Sequence, residues 1–226
     1  MKRKRFLAST TVVVVALVVG LLVGREWRVN STPATTSTTT TTIPTQPSTA
    51  IWPLASTSTR FATPMLAAQT FALDYLGFTN PVVEPFQQGD TRSGEVPVRS
   101  SLSGVRTTIL VRQVTSDDTW WVIGAVSPNI LLSAPSALQV ITSPVHLVGT
   151  STAYEGVVNV EIRQDANLVP LVRTTVMGGS MGVMGPFSTT LAYKTPTSSS
   201  GAIVMYTRSA KDGSVLEASV LRVAFK

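Results

Sequence analysis

The chain has 226 residues, of which 43% are hydrophobic and 13% are charged, and it contains no cysteine and one histidine. This composition excludes disulfides, thiolate metal sites and a cysteine nucleophile, so we expect no catalytic residue, cofactor or metal ion. The first 28 residues hold six basic side chains and one acidic one, which is +5 of the formal net charge of +6. The remaining chain is nearly neutral, and a nucleic-acid partner, which needs clustered basic residues on the folded part, is not expected.

The N-terminus has the pattern of a membrane anchor. Residues 1–5 are a basic tail, and residues 6–24 are nineteen residues without a charge, which span about 28 Å as a helix, close to the thickness of a bilayer core. The positive-inside rule places the tail in the cytoplasm and all later residues outside. A cleaved signal peptide is the alternative, but its apolar region usually has about 7 to 15 residues and ends at small residues. We therefore predict an uncleaved transmembrane signal-anchor in the cell membrane.

Residues 25–50 are predicted to form a disordered, Thr-rich linker. Sixteen of the nineteen residues from Ser31 to Thr49 are Thr, Ser or Pro. Such a segment has too little apolar surface to offset the entropy of ordering the chain. We expect it to hold the folded region away from the bilayer.

Residues 51–132 are predicted to form a small α+β domain. Thr63 is a suitable helix N-cap, Pro64 suits the first helical position, and Gly77 suits the end. The apolar side chains that recur at helical spacing are Met65, Ala68, Phe71, Ala72, Tyr75 and Leu76. Three segments rich in β-branched and aromatic residues are predicted strands: residues 95–99, 106–114 and 120–126.

Residues 134–226 are predicted to form an all-β sandwich, because short strand-like segments alternate with turn residues. The segments are residues 145–148, 157–162, 169–177, 187–193, 202–207 and 216–225. In the second segment, aliphatic residues alternate with polar ones that should face solvent, namely Asn159, Glu161 and Arg163. Lys211-Asp212-Gly213 predicts a hairpin turn. The size suits an immunoglobulin-like domain of about 100 residues, so we expect this segment to fold alone.

Four short motifs in this region occur in a characteristic order: Ser143-Pro144-Val145, Tyr154-Glu155-Gly156, Gly185-Pro186-Phe187 and Ser209 to Ser214. In their order and spacing, residues 141–226 resemble the immunoglobulin-like domain of bacterial spore-germination and sporulation proteins. The resemblance implies a non-catalytic, surface-exposed binding module with a role related to germination or sporulation. Residues 51–132 show no comparable resemblance to a family.

Two features are candidate interaction surfaces. The segment from Met177 to Met184 combines three methionines, Met177, Met181 and Met184, with glycines, and flexible thioethers suit adaptable contacts with a protein. Trp120 and Trp121 are consecutive on a predicted strand and should face opposite sides of the sheet. The outward one would be able to stack on a sugar ring, although packing between domains is the alternative for both.

These features predict a membrane-anchored, extracytoplasmic, non-catalytic binding or scaffold protein of the bacterial cell envelope, with a protein partner. Binding of peptidoglycan or another wall polysaccharide is the alternative. A carboxylate hydrolase is a third and remote alternative. The adjacent residues Asp117 and Asp118 should project in different directions from a turn, whereas a glycosidase needs two carboxyls that face each other. His146 should face solvent from a strand in a structural role.

Overall fold

The computed structural model describes residues 46–165 and 167–226. The predicted cytoplasmic tail, the transmembrane anchor and nearly all of the linker lie outside the described residues. Among the residues that are described, none of the helices has both the length and the apolar character needed to cross a bilayer.

The helix predicted from Thr63 to Gly77 is confirmed. Helix α1 (Pro64–Thr70) continues directly as a π-helical segment (Phe71–Leu76). The Thr63 side chain accepts a hydrogen bond from the Leu66 amide at 3.3 Å, and Gly77 ends the helix with a φ of 80°. Met65, predicted on the buried face, is 41% exposed. The buried residues of α1 are instead Ala67 and Ala68.

The three strands predicted after this helix are also confirmed, and two very short strands precede them. They are β1 (Val82–Val83), β2 (Gln87–Gln88), β3 (Ser93–Arg99), β4 (Arg106–Gln113) and β5 (Trp120–Val126). Strands β3, β4 and β5 pair antiparallel in sequence order. Helix α1 packs on one face of this sheet, and alternate residues such as Ile109 and Val111 are fully buried beneath it.

The described residues from 130 to 226 contain nine strands, and each of the six predicted segments overlaps one of them. They are β6 (Ile130–Ala134), β7 (Val140–Ile141), β8 (Val145–Ala153), β9 (Val157–Gln164), β10 (Pro170–Met177), β11 (Gly179–Ser180), β12 (Gly185–Leu191), β13 (Ser200–Arg208) and β14 (Val215–Phe225). Strands β14, β13, β9 and β10 form one side of a sandwich, and β6, β8, β11 and β12 form the other. Buried side chains including Leu147, Ile162 and Phe187 fill the space between them.

One long sheet connects the two regions that the sequence distinguishes. Strand β14 pairs with β13 along nearly its whole length and also pairs with β5 at Val220 and Ala125. The strand order is therefore β1-β3-β4-β5-β14-β13-β9-β10. The sandwich core packs on one face of the C-terminal strands. Their other face packs against α1 and its surroundings through residues such as Val204 and Tyr206.

This arrangement overturns the predicted exposure of the polar face of β9. Glu161 is only 1% exposed, and Arg163 is also buried. The helical segment from the N-terminal region covers this face, since the Arg163 guanidinium lies 4.8 Å from the centre of the Tyr75 ring. Strand alternation correctly separates the two faces of β9, but a distant segment covers the face that was predicted to be exposed.

Candidate functional site

The methionine segment forms an exposed apolar surface at one end of the sandwich. Met177, at the end of β10, is exposed, Met181 is 78% exposed, and Met184 is exposed just before β12. Two further exposed apolar side chains that the sequence did not single out belong to the same end: Tyr154, which follows β8, and Val183. We call Tyr154, Met177, Met181, Val183 and Met184 the sandwich-end patch.

Backbone contacts hold together the two chain segments that carry this patch, one after β8 and the other between β10 and β12. Strand β11 pairs in parallel with the end of β8 at Thr152 and Ala153. The Gly178 amide donates to the Gly156 carbonyl at 3.0 Å. A Cβ on Gly179 would lie 1.9 Å from the Val183 carbonyl oxygen, so glycine is required where the segment folds against itself. The patch therefore rests on a closely packed backbone.

Met181 occupies an unusual backbone position at the tip of the patch. The Val183 amide donates to the Ser180 carbonyl at 2.9 Å, and the two residues between them, Met181 and Gly182, have φ of 53° and 83°. Positive φ at both central positions is the geometry of a type I′ turn, where Asn, Asp or Gly is preferred. A mostly exposed methionine there gains little from packing in the folded chain. This favours a role for its side chain in contact with another molecule.

The two tryptophans lie on opposite faces of the sheet, as predicted, but neither presents an open ring. Trp121 is 1% exposed. Its ring is covered by the Arg60 guanidinium at 4.7 Å, and its indole nitrogen donates to Thr115 Oγ1 at 3.3 Å. Trp120 is half-buried in the core on the α1 side, with its ring centre 5.3 Å from that of Phe86.

The polar residues considered for catalysis have local structural partners. His146 is exposed, as predicted, with Nδ1 3.3 Å from Thr190 Oγ1. Asp117 accepts hydrogen bonds from the hydroxyls of Thr115 and Thr119, whereas Asp118 pairs with Arg92 at 3.1 Å. Between residues 46 and 226, leaving out the undescribed position 166, no three His, Asp or Glu side chains are grouped closely enough to hold a metal ion.

A buried charged cluster centres on Glu161. Its carboxylate accepts hydrogen bonds from Arg163 Nε at 2.7 Å, Arg173 Nε at 2.6 Å and the Tyr206 hydroxyl at 2.9 Å. Burial alone would raise the pKa of Glu161, but the Arg163 guanidinium and these hydrogen bonds outweigh it and hold the pKa below its ordinary value. The pKa of neighbouring Tyr75 is raised to about 12, chiefly because burial disfavours the phenolate. The cluster joins β9, β10 and β13 to the helical segment.

Two largely antiparallel sheets packed face to face define an immunoglobulin-like β-sandwich, a class of domain that presents its loops at two ends. Residues 129–214 match the family model described as the immunoglobulin-like domain of bacterial spore germination. The match supports a binding role related to germination. A comparison with curated proteins and one with solved structures each found no significant match.

The match confirms the resemblance inferred from the sequence but begins twelve residues earlier, at Asn129 instead of Ile141. The structure shows why the earlier start is correct. Strand β6, which the sequence analysis did not assign to the sandwich, pairs antiparallel with β8 through Ile130, Leu131 and Leu132.

Proposed function

We propose that this protein is a membrane-anchored, extracytoplasmic, non-catalytic binding or scaffold protein of the bacterial cell envelope, and that the sandwich-end patch contacts a protein partner. The observation that carries the proposal is the grouping of three methionines, a tyrosine and a valine, all exposed, on two backbone turns at one end of an immunoglobulin-like sandwich. Exposed apolar patches of this kind mark interaction sites on soluble domains.

The chemistry of the patch favours a protein over a polysaccharide. Methionine side chains adapt their shape to apolar side chains of a partner, whereas sugar rings are recognised by flat, open aromatic faces. Trp121 is buried beneath Arg60 and offers no such face. The region beyond residue 28 is nearly neutral, so long-range steering contributes little and the contact depends on local apolar burial. The experiment must therefore distinguish binding of a protein partner from binding of peptidoglycan or another wall polymer.

Site-specific photo-crosslinking in intact cells tests the patch. A photoreactive amino acid at position 181 is expected to give a discrete protein adduct. The same group at Leu102, which is 85% exposed in the β3–β4 connection, is the control and should give none. Burial of a methionine side chain is worth about 1.5–3 kcal/mol, so adding Met184→Ser should reduce the adduct at position 181 by about tenfold or more.

Two results would contradict the protein-partner proposal. One is crosslinking at Leu102 as strong as at position 181. The other is a lack of any protein adduct at position 181 while the same protein sediments with isolated cell wall, which would favour the polysaccharide alternative.

The anchor is tested separately by fractionation. With residues 6–24 present, the protein should stay in the membrane fraction after a high-salt wash, with a C-terminal reporter accessible from outside, because the apolar segment is long enough to span. Deletion of residues 6–24 is the matched control and should abolish retention. Detection of a mature N-terminus shortly after Gly24 would show instead that the segment is a cleaved signal peptide.

A further inference from the structure

A large cavity lies on the face of the long sheet that is opposite α1. Its volume is about 690 Å³, within the usual range of about 300–1,000 Å³ for sites that hold small molecules. Leu110 and Ile123 of the β4–β5 pair form one part of it, and Met205 and Leu221 of β13 and β14 form another. The cavity arises because β6 is the edge strand of the second sandwich sheet. Beyond β6, the second sheet no longer covers the long sheet.

The cavity is elongated and mostly apolar. Its floor crosses the neighbouring strands β4, β5, β14 and β13, and three steps between strands correspond to about 14 Å. Its wall is formed by β6 and by the following loop through Leu131, Leu132 and Leu138. Leu131 and Leu138 are exposed, so the rim of the cavity is also apolar. This shape suits one extended hydrocarbon chain.

The charged residues that line the cavity are all basic. Three arginines, Arg92, Arg112 and Arg222, contribute to its lining, and none of the lining residues that the structure identifies is acidic. Arg92 is paired with Asp118 at 3.1 Å, and Arg222 is paired with Asp165. Arg112, exposed on β4, acts on nearby Asp90 only through a minor coulombic interaction, and its side chain makes no hydrogen bond or salt bridge within residues 46–165 and 167–226. It is therefore available to an anionic group of a ligand.

We propose that this cavity binds a single-chain amphiphile with an anionic headgroup, a long-chain carboxylate or phosphate. The hydrocarbon chain lies across β5, β14 and β13, and Arg112 pairs with the headgroup at the β4 side. Apolar burial supplies most of the affinity, and the Arg112 guanidinium selects for the charge. This ligand site is distinct from the sandwich-end patch and does not depend on the patch having a protein partner.

Photoaffinity labelling of the full chain in nanodiscs of neutral lipid tests the proposal. The probe is a sixteen-carbon fatty acid with a diazirine in its chain, and its methyl ester is the control with the same chain and no charge. Mass spectrometry of the peptides should locate the acid label on cavity-lining residues of β6, β13 or β14, with at least tenfold less labelling by the ester. A phosphate-headed probe with the same chain identifies the preferred headgroup, and labelling of these residues by either anion above the ester supports the proposal.

Three variants and one control separate the contributions of charge and space. Arg112→Gln should reduce labelling by the acid to the level of the ester, and Arg112→Lys should retain most of it. Leu131→Trp, at the exposed rim, should reduce labelling by both probes because the larger side chain narrows the entrance. Lys211→Gln, in the β13–β14 turn, is the control for loss of a positive charge and should change nothing.

The wild-type chain alone can overturn the proposal. Equal labelling of the cavity by the ester and both anions would show an apolar cleft without headgroup recognition. A lack of label on the cavity residues would show that the site does not take such a chain.

Discussion

Residues 134–226 expressed alone are expected to be far less stable than a chain that also contains residues 46–133. In the structure, the C-terminal strands are buried on both faces. Val204 and Tyr206 face the core on the α1 side, whereas Ile203 and Met205 face the sandwich core. Six buried side chains of the fragment would lose their cover: Ala202, Val204, Tyr206, Val215, Ala218 and Val220. Their exposure costs on the order of 5–10 kcal/mol, comparable with the whole stability of a typical domain.

Polar contacts across the same boundary add to the effect. Glu217, buried on β14, accepts hydrogen bonds from Ser127 and from Asn129 Nδ2, the latter at 3.2 Å. Arg163 donates to the Tyr75 carbonyl at 2.6 Å, and Arg222 donates to the Ser48 carbonyl at 2.8 Å. Removal of residues 46–133 therefore leaves these charged groups with fewer hydrogen bonds, which is costly where water cannot replace them.

Urea unfolding followed by circular dichroism measures the difference between residues 134–226 and residues 46–226. A third fragment, residues 127–226, restores β6, Ser127 and Asn129 and should recover part of the lost stability. The sequence alone predicts that residues 134–226 fold independently, so the experiment separates the two expectations. Equal unfolding midpoints for the shortest and the longest fragment would mean that the contacts with α1 contribute little.

The local features of the fold were predictable because short-range chemistry determines them. Thr63 and Gly77 define the ends of the helix through a side-chain cap and a left-handed backbone position. The turn at Asp212-Gly213 joins β13 to β14, with Asp212 accepting a hydrogen bond from the Ser214 amide at 3.1 Å and Gly213 at a φ of 74°. Met177, Met181 and Met184, which the sequence indicates as a candidate contact surface, are exposed in the structure.

The non-local features were not predictable, because alternation says which face of a strand a residue occupies but not what covers that face. The pairing of Val220 with Ala125 joins segments nearly a hundred positions apart, and no local sequence pattern predicts this pairing. Burial of Glu161, burial of Trp121 and formation of the apolar cavity all depend on such long-range packing. A glutamate followed two residues later by an arginine on one strand face is a weak signal of an ion pair, and strand alternation alone predicts a solvated face there.

Replacement of Glu161 by Gln is expected to cost about 3–5 kcal/mol of stability at neutral pH. The substitution keeps the size of the side chain but removes its charge, and buried Arg163 then has no opposite charge beside it. Breaking a buried ion pair from one side typically has this cost, because the remaining charge stays desolvated. Glu95→Gln is the matched control, since Glu95 is exposed on β3, and it should change stability by less than about 0.5 kcal/mol.

The pH dependence distinguishes loss of this charge from a general packing defect. The pKa of Glu161 is lower in the folded chain than its ordinary value of 4.5, so ionised Glu161 stabilises the fold above pH 4.5, and this contribution is lost as the pH falls through the lowered folded pKa. The wild type should therefore lose stability in acid more steeply than Glu161→Gln, and their urea midpoints should converge. A constant difference in midpoint from neutral pH down to strong acid would instead assign the destabilisation to packing around the amide.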